Sequence, residues 1–357
     1  MSRDRMIRNG AFLALLLVFL PTSAAPVAAG EDLDAALGLI RPEALRAHMG
    51  FLADDLLEGR ETGTRGYELA ARYVASQFEL LGLEPGGDEG SYYQRFDLRA
   101  TRQVPEGCSI TLSGPDGDRE LVYAEDYLMS GDAVREEGEV EAPLVFVGFG
   151  VRAPDQDYDD YAGVDVRGKI IVLLTGAPSW FPHDERAYYA SSSHKMATAV
   201  ELGAVGVISF LTAERAEKVP WDRAVMNASI ASMRTLGPDG KPLRVYPEIR
   251  VGAFLSQQGA RALFEGAPTN LDRVFERAMT EAPGSFDLPH RCRMVRRSLH
   301  TPAESCNVAG ILRGSDPRLR EEVLVYTAHL DHLGIGTPVD GDSIYNGAYD
   351  NASGVAV

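Results

Sequence analysis

Apolar residues near positions 42 to 82 recur at helical spacing. Leu45, Met49 and Leu52 follow one another at steps of four and three, which places them on one face of a helix. A second series with the same period runs over 70–81 and ends at Gly82, a residue typical of helix C-terminal ends. The pattern therefore predicts two amphipathic helices.

From about residue 137 the pattern changes to short apolar runs. The runs at 144–147 and 169–174 are bounded by Gly, Pro and Asp, and the run at 203–210 begins with a glycine; all three predict buried strands. A helical pattern at 195–202 lies between the last two runs. Strand, helix and strand at this spacing predict a small α/β unit.

Two further strand candidates, 307–312 and 322–328, lie near the C-terminus. The second is apolar almost throughout, as expected of a strand covered by helices on both faces of a parallel sheet. Such sheets bind ligands beyond the carboxyl ends of their strands. Residues just after 328 are therefore candidates for chemistry.

The N-terminus has the layout of a cleavable secretory signal. Three arginines precede ten apolar residues at 11–20, and small residues follow as far as Ala29. Ten apolar residues are too few to span a bilayer, which needs about 20. We therefore expect residues 1–29 to be removed, and the protein to be periplasmic or secreted with no stable membrane anchor.

Composition and charge narrow the class of protein. The 357 residues are 45% hydrophobic and 24% charged, which is globular, and the formal net charge is −17. So acidic a chain repels phosphate backbones, so no nucleic-acid partner is expected. The three cysteines, Cys108, Cys292 and Cys306, are too scattered for a disulfide framework or a C-x-x-C zinc site.

A candidate metal site follows the last predicted strand. His329 offers an imidazole nitrogen suited to zinc, and Asp331 lies two residues on, where a carboxylate can orient that imidazole. Asp350 stands in a glycine-bordered loop, where its two oxygens can bridge two cations. The same residues also fit a chance His-x-Asp pair and a helix cap formed by Asp350 and Asn351.

The two segments that carry these residues resemble a known paired signature. A-H-L-D-H-L-G at 328–334, followed by G-D-S-I-Y-N-G-A-Y-D-N-A-S-G at 341–354, is similar to the motifs of the co-catalytic di-zinc exopeptidases. That family includes secreted bacterial aminopeptidases, glutamate carboxypeptidase and glutaminyl cyclase. Residues 57–66, 81–85 and 92–96 resemble its N-terminal segment, and 145–151, 159–163, 168–172 and 203–207 resemble the protease-associated (PA) domain often inserted in it.

The resemblance implies a fold class and a domain order. It implies an α/β fold with a mixed or parallel sheet and helices on both faces, interrupted by an inserted PA-like α/β domain. The expected order is a signal peptide at 1–29, the first part of a peptidase domain at 30–135, the insert at 136–265, and the resumed peptidase domain at 266–357.

The resemblance also implies residue roles. His329 matches a zinc ligand, Asp350 the carboxylate that bridges two zinc ions, and Asp331 the acid that orients the histidine and serves catalysis. His332 does not match a ligand position, and neither do the other five histidines: His48, His183, His194, His290 and His300.

In the family, the general-base glutamate and the remaining ligands follow the bridging aspartate, whereas this sequence ends seven residues after Asp350. We therefore expect an N-terminal fragment of a longer enzyme, one that by itself binds zinc poorly and is inactive. The expected full-length activity is that of a secreted zinc aminopeptidase acting on peptides or proteins. The alternatives are a carboxypeptidase or cyclase on the same scaffold, and a non-catalytic PA-type binding protein.

Overall fold

The computed structural model describes residues 35, 37–115 and 117–357. The predicted signal peptide at 1–29 lies outside these residues. Both predicted N-terminal helices are confirmed as α1 (Pro42–Leu52) and α2 (Arg65–Leu80). Thr64 caps α2 by accepting a hydrogen bond from the amide of Tyr67, and Gly82 follows the helix with a φ of +75°.

Further α-helices follow α2 along the described part of the chain. They are α3 (His183–Ala190), α4 (Ser192–Glu201), α5 (Ala213–Lys218), α6 (Trp221–Asn227), α7 (Gln257–Leu263), α8 (Leu271–Ala278) and α9 (Ser353–Ala356).

Sixteen strands lie in the described residues, and the larger ones share one sheet. They are β1 (Glu84–Pro85), β2 (Tyr93–Gln103), β3 (Ser109–Gly114), β4 (Gly117–Leu121), β5 (Tyr127–Leu128), β6 (Glu137–Val147), β7 (Arg152–Ala153), β8 (Tyr158–Asp159), β9 (Ile170–Leu174), β10 (Gly206–Phe210), β11 (Ser232–Thr235), β12 (Val251–Leu255), β13 (Ser285–Val308), β14 (Gly310–Ile311), β15 (Gly334–Val339) and β16 (Asp342–Tyr345). The large sheet runs in the order β11-β2-β13-β6-β9-β10-β12-β5, with β3 paired to β13 and β4 paired to β3.

Strands β6, β9, β10 and β12 are parallel, and together with α3 to α8 we call them the α/β unit. All five residues of β9 are buried, because helices cover both faces of the sheet. Ala199 of α4 packs on one face, while Leu263 of α7 and Val274 of α8 pack on the other. This confirms the predicted strands and helix, and the predicted fold class of α/β with a mixed sheet.

The antiparallel part of the sheet is organised by one long strand. The first half of β13 pairs with β6 and β3, and its second half pairs with β2. The largest core cluster combines residues on both sides of positions 136 and 265, including Ile110, Val172 and Met294. The domain boundaries at 135/136 and 265/266 stay a prediction. The large sheet and its core contain residues from both sides of each boundary.

The prediction of a buried strand over 322–328 is wrong. The segment has no strand pairing, and Val323, Leu324, Val325 and Tyr326 are exposed. The described residues supply no neighbouring strand for its backbone groups, so its apolar side chains have nothing to pack against. The other C-terminal candidate, 307–312, is extended only in part, as the end of β13 and the short β14.

Two further features concern the cysteines and the helices. None of the three cysteines is bonded; Cys292 and Cys306 are buried, and Cys108 is half-buried. Among the described helices, none combines the length and the apolarity that crossing a bilayer requires.

Candidate metal centre

His329 and Asp350 come together from two separate segments. His329 lies in the extended chain before β15, and Asp350 lies in the tight turn Ala348–Ala352 that leads into α9. The Nε2 atom of His329 is 3.0 Å from Oδ1 of Asp350. The two side chains are 53% and 67% exposed, so this contact forms at an open surface.

The donor atoms suit zinc. Bonds of about 2.0–2.2 Å from zinc to nitrogen and oxygen place two tetrahedral ligand atoms roughly 3.3 Å apart. The observed 3.0 Å between His329 Nε2 and Asp350 Oδ1 is close to that separation. One ion could therefore be bound by both atoms with only a small movement. Within the residues that the structure describes, no group of three or more His, Cys, Asp or Glu side chains is positioned to hold a metal.

Asp331 lies behind the imidazole ring of His329. The Nδ1 atom of His329 is 3.1 Å from the backbone oxygen of Asp331 and 3.5 Å from its Oδ1. A proton on Nδ1 would point to these oxygens and leave Nε2 free as a metal ligand. The other carboxylate oxygen of Asp331 accepts a 2.8 Å hydrogen bond from the Thr62 hydroxyl, which fixes the carboxylate.

Arg60 connects the N-terminal loop to both motif segments. Its side chain is fully buried, and its guanidinium donates to the backbone oxygens of Leu52, Leu330, Asn346 and Gly347. Burial lowers the pKa of Arg60 from its usual value, and the charge of Asp331 opposes this shift. Because one rigid group binds carbonyls on both sides of the site, Arg60 sets the distance between the two segments.

The loops approach so closely that glycine is required. Gly59 has a φ of +69°, and a Cβ there would lie 2.5 Å from the backbone oxygen of Gly334. Gly347 has a φ of +61°, and a Cβ there would lie 2.6 Å from Cγ of His332. Asn346 adds a further tie, because its amide donates to the Ala53 carbonyl at 2.9 Å and to Asp55 Oδ1 at 2.7 Å.

His332 is half-buried next to Arg60. Its backbone amide donates to the Arg60 carbonyl at 3.1 Å. Burial lowers the pKa of His332, with the positive charge of Arg60 acting in the same direction and Asp350 opposing both. Three of the remaining histidines have partners outside the motifs: His48 contacts the Tyr73 hydroxyl, while His290 and His300 contact backbone oxygens.

The structure thus brings His329, Asp331 and Asp350 together, as the sequence predicted. Their roles as metal ligands and as the orienting acid stay a prediction. Sequence reasoning missed Arg60 and Thr62. Both lie in the segment 57–66, which resembles the N-terminal segment of the exopeptidases. The glycines on either side of Arg60 were the sequence signal that could have indicated its role.

The C-terminal segment matches a family model. Residues 307–357 match the model described as peptidase family M28, and this range contains His329, Asp331 and Asp350. The resemblance read from the paired motifs is therefore confirmed for this segment. No curated protein sequence matches the chain.

Solved structures also align with the chain. An aminopeptidase from Aneurinibacillus sp. strain AM-1 is 18% identical, with 88% of this chain and 57% of that chain covered and a TM-score of 0.39. BSAP, a zinc aminopeptidase from Bacillus subtilis, is 18% identical, with 88% and 55% covered and a TM-score of 0.36. The chain spans little more than half the length of these two proteins.

Proposed function

We propose that this chain carries part of the catalytic site of a zinc-dependent peptidase of the M28 type. The observation that carries the proposal is the contact between His329 and Asp350 inside the segment that matches the family model. Zinc bound there would supply a Lewis acid that activates water and polarises the scissile carbonyl.

The chain's own residues have distinct parts in this proposal. His329 Nε2 and the Asp350 carboxylate hold the metal. Asp331 holds the proton on His329 Nδ1, and Thr62 holds Asp331 in turn. Arg60 keeps the two segments at the required distance through its four carbonyl contacts. Outer groups of this kind commonly change metal affinity by about 10–100-fold.

The described site is short of ligands. A catalytic zinc site takes three protein ligands and leaves one position for water, and two ligands meet here. We therefore propose that a further ligand and the general base come from residues other than those described, and that a second zinc ion completes the site. The 357-residue chain alone is then expected to bind zinc weakly and to hydrolyse no peptide.

The proposed specificity is that of an exported aminopeptidase, and the proposed insert is a PA-like domain. Support for both comes from the sequence resemblance. An exopeptidase that reads a free amine should cleave a peptide with a free N-terminus and leave its N-acetylated form intact. A carboxypeptidase would accept both forms and reject the C-terminal amide.

The test is hydrolysis of these three peptides by the protein made from its complete coding sequence, before and after removal of zinc by a chelator. We expect zinc-dependent cleavage of the peptide with a free N-terminus, and loss of activity in His329→Ala. The control is His290→Ala, because that imidazole contacts the backbone oxygen of Glu265 and lies outside both motifs. Absence of hydrolysis with zinc present would contradict the proposal and favour a non-catalytic binding protein.

A further inference from the structure

A large cavity opens on the α/β unit, in a part of the chain separate from the motif segments. Its volume is about 930 Å³, within the range of roughly 300–1,000 Å³ typical of ligand sites. Its floor is formed by Thr175 and Gly176, which follow β9, and by Thr212, which follows β10. This is the carboxyl end of the parallel strands, where open α/β sheets bind ligands.

Two helices line the cavity. On α3, the residues that line the cavity are 183, 186, 187 and 190, which share one face of the helix. On α8, residues 272, 275 and 276 line it with the same spacing, and Met279 follows just beyond the helix. Each wall combines a small or apolar surface with charged side chains. A ligand held here would contact the Phe275 ring as well as polar groups.

The acidic side chains that line the cavity have ion-pair partners, whereas two of the basic ones have none in the described chain. The three acidic side chains each have a basic partner: Glu214 pairs with Lys218, Asp272 with Arg261, and Glu276 with Arg273. Within the part of the chain that the structure covers, Arg186 and Arg215 form no ion pair, and the one side-chain contact of Arg186 is a long 3.5 Å approach to a backbone oxygen. Two guanidinium groups are therefore free to bind an anion.

The floor carries an unsatisfied polar group. The Thr175 hydroxyl oxygen is buried and has no hydrogen-bond partner within the described residues. A buried hydroxyl without a partner is unfavourable, so a ligand group that bonds to it gains affinity. A peptide backbone offers both a carbonyl and an N–H group for this purpose.

We propose that this cavity binds a peptide through a carboxylate held by Arg186 and Arg215, with an adjacent apolar side chain against Phe275. Guanidinium groups bind carboxylates through paired, charge-assisted hydrogen bonds. Three acidic side chains at the cavity disfavour a doubly charged phosphate more than a singly charged carboxylate. The carboxylate could belong to the C-terminus of the peptide or to an acidic side chain.

The experiment measures peptide binding to the zinc-free protein by calorimetry, so that the metal centre makes no contribution. The probes are N-acetyl-Ala-Ala-Leu as the free acid, the same peptide as its C-terminal amide, and N-acetyl-Ala-Glu-Leu amide. We expect at least one carboxylate probe to bind about tenfold more tightly than the neutral amide. The probe that does so identifies the source of the carboxylate.

Variants assign the effect to the cavity. Arg186→Gln and Arg215→Gln should each abolish most of the preference for the carboxylate, and Thr175→Val should weaken all probes alike. Arg277→Gln is the matched control, because Arg277 is on α8 but pairs with Glu281 and does not line the cavity. Equal binding of the neutral amide and both carboxylate probes, no binding of either carboxylate probe at millimolar concentration, or a preference unchanged in both cavity variants would overturn the proposal.

Discussion

At the scale of single residues, buried polar side chains hold this structure together around the candidate metal centre and in the α/β unit. Arg60 is fully buried and donates to four backbone oxygens. Asp160 is 4% exposed and accepts hydrogen bonds from the amides of Phe149 and Val151 and from the Tyr158 hydroxyl. Both residues satisfy backbone groups that would otherwise be buried without partners.

Replacing Arg60 with methionine should destabilise the protein. Arg60→Met keeps much of the side-chain volume but leaves buried carbonyls without donors, so the free energy of unfolding should fall by roughly 2–4 kcal/mol. Urea denaturation followed by circular dichroism measures the change. Arg72→Met, at an exposed position of α2, should change it by less than about 0.5 kcal/mol. Equal stability of the two variants would contradict the role of Arg60.

Asp160 should make stability depend on pH. Burial raises its pKa from 3.8 to about 7, although its hydrogen bonds and nearby Lys195 oppose the shift. The folded state therefore retains a proton that the unfolded state has lost. This contribution to stability is fully present below pH 3.8 and is lost as the pH rises through about 7.

Asp160→Asn removes that titration. The unfolding free energy of the variant minus that of the wild type should rise by about 2–3 kcal/mol from pH 4.5 to pH 7. Denaturant unfolding at the two pH values gives this double difference. Asp155→Asn, an exposed substitution in the same region, is the matched control. A difference between Asp160→Asn and the wild type that stays constant with pH would contradict the pKa shift.

At the scale of elements, the sequence predicted those whose burial is set by nearby residues. The helices α1 and α2 follow from their apolar period, and β9 and β10 follow from short apolar runs that start at or just after a glycine. The segment 322–328 has the same apolar pattern as β9 but is exposed, because a strand also needs neighbours and periodicity does not supply them. The hydrogen bonds from Arg60 to the motif segments join residues about 270–290 positions apart, so a local sequence pattern cannot predict them either.

The close approach of the N-terminal loop to the β15–β16 hairpin gives an element-scale prediction. Gly59→Ala and Gly82→Ala both place a side chain at a φ near +70°, but only the first brings Cβ within 4 Å of another element. Gly82→Ala should cost about 1 kcal/mol, from backbone strain alone. Gly59→Ala should cost at least about 3 kcal/mol, because Cβ meets the backbone oxygen of Gly334. Similar losses of thermal stability in both variants would contradict this packing.

At the scale of the whole molecule, the exposed apolar segment stands apart from the packed sheet. Val323, Leu324, Val325 and Tyr326 are each more than 70% exposed. Such a run favours self-association, since covering it removes apolar surface from water. Leu324→Lys should reduce self-association in sedimentation velocity and change the free energy of unfolding by less than about 0.5 kcal/mol. A loss above about 1 kcal/mol would mean that Leu324 is buried in the folded chain.

The central claim is that His329 and Asp350 together bind zinc, and histidine side-chain NMR during a zinc titration tests it most directly. We expect zinc to bind His329 through Nε2 while Nδ1 keeps its proton, because Nδ1 faces oxygens of Asp331. In Asp350→Asn the affinity should fall at least about tenfold, and the exposed His183 should be unaffected in both proteins. An unchanged His329 signal at saturating zinc, or binding through Nδ1, would contradict the account.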